Sequence, residues 1–209
     1  AVVMRHPTPG APLHLTKYID AIIINAGDGT HEHPTQAILD MTSLHEKFGY
    51  LKGLKVAIIG DISHSRVALS NIYGLKTMGA EITLCGPATL IPPFVEDLGV
   101  NVNYNVDEVI DWADALNVLR IQRERMGGGL LPSIREYRNL FGITTERLSQ
   151  HNKELVIMHP GPMNRGVEID SSVADSDQAI ILNQVLNGVA SRMAILYLLL
   201  GGKSDKGKD

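Results

Sequence analysis

The segment Gly27-Asp28-Gly29-Thr30-His31-Glu32-His33-Pro34-Thr35-Gln36 gathers the residues best suited to chemistry. Its glycines permit a tight, irregular turn. Pro34 suits the first turn of a helix, where a missing N–H costs nothing. Free amides at such a helix start attract phosphate and partial negative charge. His33 and Gln36 lie one helical turn apart and face one cleft. A histidine so placed can donate a hydrogen bond to a carbonyl oxygen that gains charge during reaction. Alone, His33-Pro34 reads as a plain helix cap with a surface histidine; the longer string is what sets it apart.

Other residues add to this. Arg5 ends an expected strand, and its guanidinium fork matches phosphate oxygens, although a solvent-facing strand end is the ordinary reading. Arg66 follows a strand and a glycine turn, where it reads as a helix-start arginine paired with Asp61. Arg120 and Gln122 alternate on an extended segment and so face one side. His159-Pro160-Gly161-Pro162 is stiff and lacks two amide donors, which leaves its carbonyls free to accept hydrogen bonds. Three further signals carry little. His31 and His33 form a His-x-His pair with no evident third ligand, so no metal site is expected. Gly202-Lys203-Ser204 mimics the end of a phosphate-binding loop, but the required earlier glycine is Tyr197. The turn after Lys55–Gly60 is not Gly-x-Gly-x-x-Gly, so no dinucleotide is expected.

The elements that must position these residues follow from hydrophobic patterning. Strands are expected at Val2–Arg5, Ala21–Asn25, Lys55–Gly60, Glu81–Cys85, Val100–Tyr104, Ala115–Leu119 and Leu155–Met158. Helices are expected at His33–Phe48, Ser65–Met78, Pro92–Leu98, Val106–Ala113, Ile134–Phe141, Thr145–His151 and Ser176–Leu200. Their alternation predicts an α/β fold: a doubly wound, mostly parallel sheet with helices on both faces. Ligands sit beyond the carboxyl ends of strands in such sheets, and the polar residues above cluster there. The stripe Ile180, Ile181, Val185, Ile195 and Leu198 predicts core packing of the last helix.

The chain has 209 residues, 44% hydrophobic and 20% charged, with a net charge of −4. That balance argues against a nucleic-acid binder, which should be basic. A few arginines focused in a cleft can still attract small anions. Cys85 is the only cysteine, so no internal disulfide or cysteine-based zinc site forms, and a reducing cytoplasm is expected. The longest apolar run, Met193 to Leu200, is too short to span a bilayer. The opening Ala1-Val2-Val3-Met4 resembles the middle of a buried strand, which predicts a chain trimmed at its front. Residues 201–209 read as a solvated, disordered tail.

Several motifs in register resemble one family. Gly27-Asp28-Gly29 followed by His33-Pro34-Thr35-Gln36 resembles the carbamoyltransferase signature. Val3-Met4-Arg5-His6, Asp61 to Arg66, Leu119-Arg120-Ile121-Gln122-Arg123-Glu124-Arg125 and His159-Pro160-Gly161-Pro162 resemble aspartate carbamoyltransferase segments, in that family's order. The resemblance implies transfer of a carbamoyl group from carbamoyl phosphate to the amine of L-aspartate, an early step of pyrimidine synthesis, with no cofactor. It implies that Arg5 and His33 act on the carbonyl oxygen, with Arg5 also on the phosphate. Gln36 and the carbonyls of Gly161 and Pro162 would hold the ligands' amide and amine groups. Arg66 becomes a carboxylate clamp, and Arg120 with Gln122 binds the aspartate side chain. The family's segment often has a bulkier residue where Gly161 stands, a difference that leaves backbone carbonyls in place.

The same resemblance divides the chain. Residues 1–32 are a remnant of a carbamoyl-phosphate domain, 33–178 an aspartate-binding domain, and 179–200 a helix returning to the first domain. The family's Ser-Thr-Arg-Thr phosphate motif, and the Ser and Lys that a neighbouring subunit lends, are not in these residues. A homotrimer is implied, with regulatory or dihydroorotase chains as further partners. Two alternatives remain. An ornithine-type enzyme would put a cationic acceptor against Arg120 and carry a Cys-containing segment where Pro160 stands. A catalytically incomplete fragment or binding module would keep only the ligand contacts.

Overall fold

The computed structural model describes residues 1–122, 131 and 133–201. Two parallel sheets organise it. Strands β1 (Val2–His6) and β2 (Ile23–Asp28) form a small parallel pair, with the short helix α1 (Ala11–Leu15) between them. Helix α2 (Pro34–Phe48) then leads into the larger unit, and Pro34 does open it.

That unit contains β3 (Lys55–Ile59), α3 (Arg66–Thr77), β4 (Glu81–Cys85) and β5 (Asn101–Val102). It continues through α4 (Val106–Trp112), β6 (Ala115–Val118), α5 (Ile134–Phe141), α6 (Thr145–Ser149) and β7 (Val156–Met158). The short α7 (Ser171–Ala174) and the long α8 (Ile181–Leu200) close the described chain. The strand order is β5-β4-β3-β6-β7, all parallel. Strand period explains the two cores. Val56 and Ile58 face Leu44 of α2 and Ile72 and Leu75 of α3. Ala57 and Ile59 face Val109 and Ile110 of α4 and Tyr137 and Phe141 of α5. This is the doubly wound arrangement that apolar runs without polar alternation require.

Chain direction across the sheet reverses at β3, which pairs β4 on one side and β6 on the other. A crevice at that switch point is where open α/β sheets bind ligands. Gly60, at φ +127°, makes it possible there: a Cβ would stand 2.9 Å from the Leu119 carbonyl oxygen.

Several expected elements differ. Val100–Tyr104 contributes only the two residues of β5 to the ladder. Pro92–Leu98 yields a 3-10 turn over Val95–Leu98, because Pro93 disfavours helical backbone at Pro92 and Phe94, at φ +60°, breaks any helix begun there. The last helix begins at Ile181, not Ser176, since Ala179 and Ile180 sit beside β7, with Ile180 N–H on the Ile157 carbonyl. Helices α1 and α7 are too short to show a hydrophobic period.

The expected apolar core stripe of α8 is a correction. Ile180 and Ile181 are buried, but Val185 is 66% and Leu198 78% exposed. The buried face is polar instead, with Gln184, Asn187 and Ser191 turned inward. Gln184 Nε2 donates to Asp40 Oδ1 at 2.8 Å, and Asn187 Nδ2 to Ser43 Oγ at 3.0 Å. Buried amides with partners hold this helix to α2, and its apolar side faces outward. No helix among the described residues is long and apolar enough to cross a membrane. The expected face Arg123-Glu124-Arg125 and tail residues 202–209 lie outside the described residues.

Candidate active site

The turn that precedes α2 is shaped by a buried carboxylate. Asp28 accepts from Gly10 N–H at 2.6 Å, Glu32 N–H at 2.9 Å and Asn25 Nδ2 at 3.1 Å, with His31 Nδ1 at 3.1 Å. Burial pushes its carboxyl up, but these hydrogen bonds outweigh burial and hold it below the usual carboxylate range. The sequence reading gave Asp28 no role beyond the motif; it pins the loop between β1, β2 and α2.

That loop delivers His33 to the start of α2. Its N–H donates to Ser70 Oγ at 2.8 Å, and the Ser70 hydroxyl donates to the Glu32 carboxylate. The start of α2 is thereby fastened to the second turn of α3. Ser65 caps α3 by accepting Ala68 N–H at 3.2 Å. Both helices thus begin at the same crevice.

Arg66 is 8% exposed, and its guanidinium crosses to the glycine turn, where Nη1 lies 3.4 Å from the Gly29 carbonyl oxygen. Gly27, at φ +115°, leaves room for it: a Cβ there would stand 2.8 Å from Arg66 Cζ. The glycine is needed twice, for backbone conformation and for the notch. Asp61, the alternative partner weighed from sequence, accepts the His64 N–H at 3.1 Å and faces His64 Nδ1 at 2.8 Å.

A cavity of about 370 Å³ opens between these parts. It is lined by Arg5, His33, Gln36, Arg66, Arg120, Gln122, Gly161 and Pro162, so the eight residues expected at the site from the family resemblance line one cavity. Ser65, Val67, Leu119, Pro160 and Arg192 also line it. Arg192 was missed, yet it is the only charged residue in Ile181–Leu200. A lone cation in a 20-residue apolar helix is a signal that could have found it. Its Nη1 donates to the Gly188 carbonyl at 3.0 Å.

Four guanidiniums and no carboxylate line the cavity among the described residues. Burial first, then the charges of Arg66, Arg5 and Arg192, lower His33 to about 4. The imidazole is therefore neutral at pH 7, able to donate one hydrogen bond without carrying charge. Beneath it, Gln36 Nε2 donates to Asp40 Oδ1 at 3.0 Å. Burial pushes the Asp40 carboxyl above its usual range, against the amides that lower it. Another hollow of about 380 Å³ lies by α5 and α6, but its arginines already face acids: Arg138 pairs with Asp170, and Arg147 Nε meets Asp107 at 2.9 Å. The first cavity alone of these two leaves a cluster of positive charge without acidic lining. Such a cavity suits anionic ligands.

Comparison with known proteins identifies the family. The family description for the Asp/Orn binding domain of aspartate/ornithine carbamoyltransferase matches residues 52–199, and that for the carbamoyl-P binding domain matches residues 1–46. The aspartate carbamoyltransferase catalytic subunit of Christiangramia forsetii is 60% identical over 198 residues, 95% of this chain and 64% of the relative. That of Moorella thermoacetica is 59% identical over 202 residues, 97% of this chain and 66% of the relative. Among solved structures, aspartate transcarbamoylase from Trypanosoma cruzi in complex with N-(phosphonacetyl)-L-aspartic acid matches with TM-score 0.82 and 30% identity, covering 93% of this chain and 64% of that one. The M. jannaschii catalytic subunit matches with TM-score 0.80 and 33% identity, covering 99% of this chain and 67% of that one. The chain spans 64% to 66% of the length of these curated relatives. Motifs, fold and relatives converge: the chain belongs to the aspartate/ornithine carbamoyltransferase family.

Proposed function

We propose that this chain carries the aspartate-binding part, and a portion of the carbamoyl-phosphate part, of an aspartate carbamoyltransferase. The observation that carries the reading is the meeting of Arg5, His33, Arg66 and Arg120 around one cavity. The reaction transfers the carbamoyl group of carbamoyl phosphate to the amine of L-aspartate, giving N-carbamoyl-L-aspartate and phosphate. The amine attacks the carbonyl carbon, negative charge builds on its oxygen, the C–O bond to phosphate breaks, and the amine's proton leaves with the phosphate. A neutral His33 and the Arg5 guanidinium stabilise that oxygen. Gln36 and the carbonyls at Gly161 and Pro162 orient the carbamoyl nitrogen. Arg66 grips one carboxylate of the acceptor, and Arg120 with Gln122 the other. Positioning and electrostatics do most of the work, which suits a cavity lined by fixed donors.

The domain division proposed is 1–32, 33–178 and 179–200, with the outward apolar face of α8 covered by the rest of the carbamoyl-phosphate domain. Leu182, Leu186 and Met193 on that face are 82%, 70% and 65% exposed. The Ser-Thr-Arg-Thr motif and the neighbour's Ser and Lys must come from outside these 209 residues, so activity requires a polypeptide and a trimer that supply them. The ornithine alternative fares worse, because a cationic acceptor would meet Arg66 and Arg120 with no acidic residue among the described lining.

The test is an assay of carbamoylated product from aspartate and from ornithine. It uses the 209-residue chain alone and the full-length catalytic polypeptide. The expected outcome is turnover of aspartate by the full-length protein and none by the chain alone. Turnover of ornithine in preference to aspartate refutes the assignment. Full activity of the chain by itself refutes the requirement for outside residues.

A further inference from the structure

Asp40 stands one helical turn beyond Gln36 on α2 and is fully buried. Its Oδ1 accepts from Gln36 Nε2 at 3.0 Å and Gln184 Nε2 at 2.8 Å. Its Oδ2 accepts from Asn71 Nδ2 at 2.8 Å, with Asn117 Nδ2 at 3.5 Å. The donors come from α2, α8, α3 and β6, and all are amides. The arrangement is costly: Asn71 Oδ1 and Asn117 Oδ1 are left buried without partners so that their amino groups can face the carboxylate. A cluster kept only for stability would be better replaced by packed apolar side chains, so its form calls for another reason.

With side-chain amino groups aimed at both of its oxygens, Asp40 acts here as an acceptor. A glutamine that gives its amino group to Asp40 must therefore turn its carbonyl oxygen elsewhere. For Gln184 the oxygen's destination is visible: Oε1 accepts the His159 N–H at 2.9 Å. His159 is buried and directly precedes Pro160, Gly161 and Pro162, which line the cavity. Gly161 N–H returns to His159 Nδ1 at 2.9 Å, so the segment is held at its base. Gln36 also lines the cavity. One N–H of its amino group is committed to Asp40, and that orients the amide so that its carbonyl oxygen is left as an acceptor for a ligand.

We propose that Asp40 is a positioning residue that touches no ligand but sets the hydrogen-bonding polarity of both cavity walls facing the carbamoyl nitrogen. Through Gln36 it presents a side-chain acceptor; through Gln184 and His159 it stations the acceptors of the 160–162 segment. The site thereby selects a ligand that ends in NH2 over one that ends in a methyl group. The inference rests on the proposed function for the ligand's identity.

The experiment uses the full-length catalytic polypeptide and two stable probes of equal shape, phosphonoacetamide and acetonylphosphonate. They differ only in an NH2 against a CH3. Wild type is expected to bind the amide probe more tightly by about tenfold or more, since rejecting a group that leaves polar atoms unpaired is worth at least that. Asp40→Leu should bring the two affinities within about twofold, because no anchor then fixes the acceptors. Asp40→Asn combined with Asn71→Asp keeps one buried carboxylate and an oxygen facing both glutamines, and should restore the preference. An Asp40→Leu protein that folds and still prefers the amide probe overturns the proposal. If Asp40→Leu does not fold, the double variant decides, and its failure to discriminate while folded overturns the proposal. A wild type that does not tell the probes apart refutes the functional reading. Side-chain amide exchange of Gln36 and Gln184 in wild type then decides this inference by itself. Slow exchange that persists with phosphonoacetamide present supports it, and loss of protection at Gln36 overturns it.

Discussion

The two walls of the basic cavity are built differently. One wall rests on the five-stranded sheet: Gln36 and Arg66 are 7% and 8% exposed, and both stand on helices packed against it. The other wall holds Arg5 on an exposed position of the two-stranded sheet and Arg192 on the outer part of α8. The first wall has its side chains fixed by neighbours before any ligand arrives. The second has charge but little packing. The contrast teaches that the wall on the larger sheet is preorganised within this chain, whereas the wall bearing Arg5 and Arg192 has few packed neighbours to hold it.

The sharpest way to break the comparison is Arg66→Ala in the full-length protein. Loss of a buried charged partner costs about 2–5 kcal/mol, so kcat/KM for aspartate should fall by about thirtyfold or more. Steady-state kinetics with unchanged aspartate use would remove Arg66 from the clamp. Gly27→Ala comes next. It strains a φ of +115° and pushes a Cβ against the Arg66 guanidinium. A stability loss of about 1–3 kcal/mol is expected in denaturant unfolding, together with a raised KM for aspartate. A variant with wild-type values shows that the notch is not needed.

A third, smaller effect concerns protons. The folded His33 titrates at about 4, below its ordinary 6.5. The unfolded chain binds more protons between those values, so stability from a neutral His33 is full above pH 6.5 and lost as pH falls toward 4. NMR titration should find His33 neutral at pH 5.5, and inorganic phosphate in the cavity should raise its midpoint. A midpoint near 6.5 without ligand would contradict the crowd of guanidiniums around it. The smallest effect belongs to Arg5→Ala. As an exposed residue it should change unfolding free energy by less than about 0.5 kcal/mol, while phosphate binding to the full-length protein weakens. A large stability loss would show that this wall is packed after all.

Much of this was legible from residues alone. Glu81–Cys85 and Ile134–Phe141 came out as expected, because apolar runs and helical period are local signals. The meeting of Arg5, His33, Arg66 and Arg120 was legible for a different reason. In a parallel sheet, strand ends converge by topology, so residues after strands become neighbours without any pair being visible in sequence. What escaped depended on partners. Asp28 looked like a motif letter, and only its donors from Gly10, Asn25 and Glu32 reveal a pin. Asp40 gave no signal, since its four amides come from four separate elements. The stripe on α8 misled because hydrophobicity was read as burial. The helix instead buries the amides that satisfy Asp40 and Ser43 and leaves its apolar side outward.

The meeting of α2 and α8 has a mechanical consequence. Gln184 meets Asp40 and, three residues on, Asn187 meets Ser43, also three residues on. Greasy surfaces can slide past one another in small increments, but paired amides spaced by equal steps behave like teeth. Creeping by a fraction of a turn disengages every tooth at once, and the next full engagement lies about 5.4 Å away, where the letters no longer match. The long helix is therefore indexed to a single notch, and Arg192, a turn and a half further along, is carried to a fixed address.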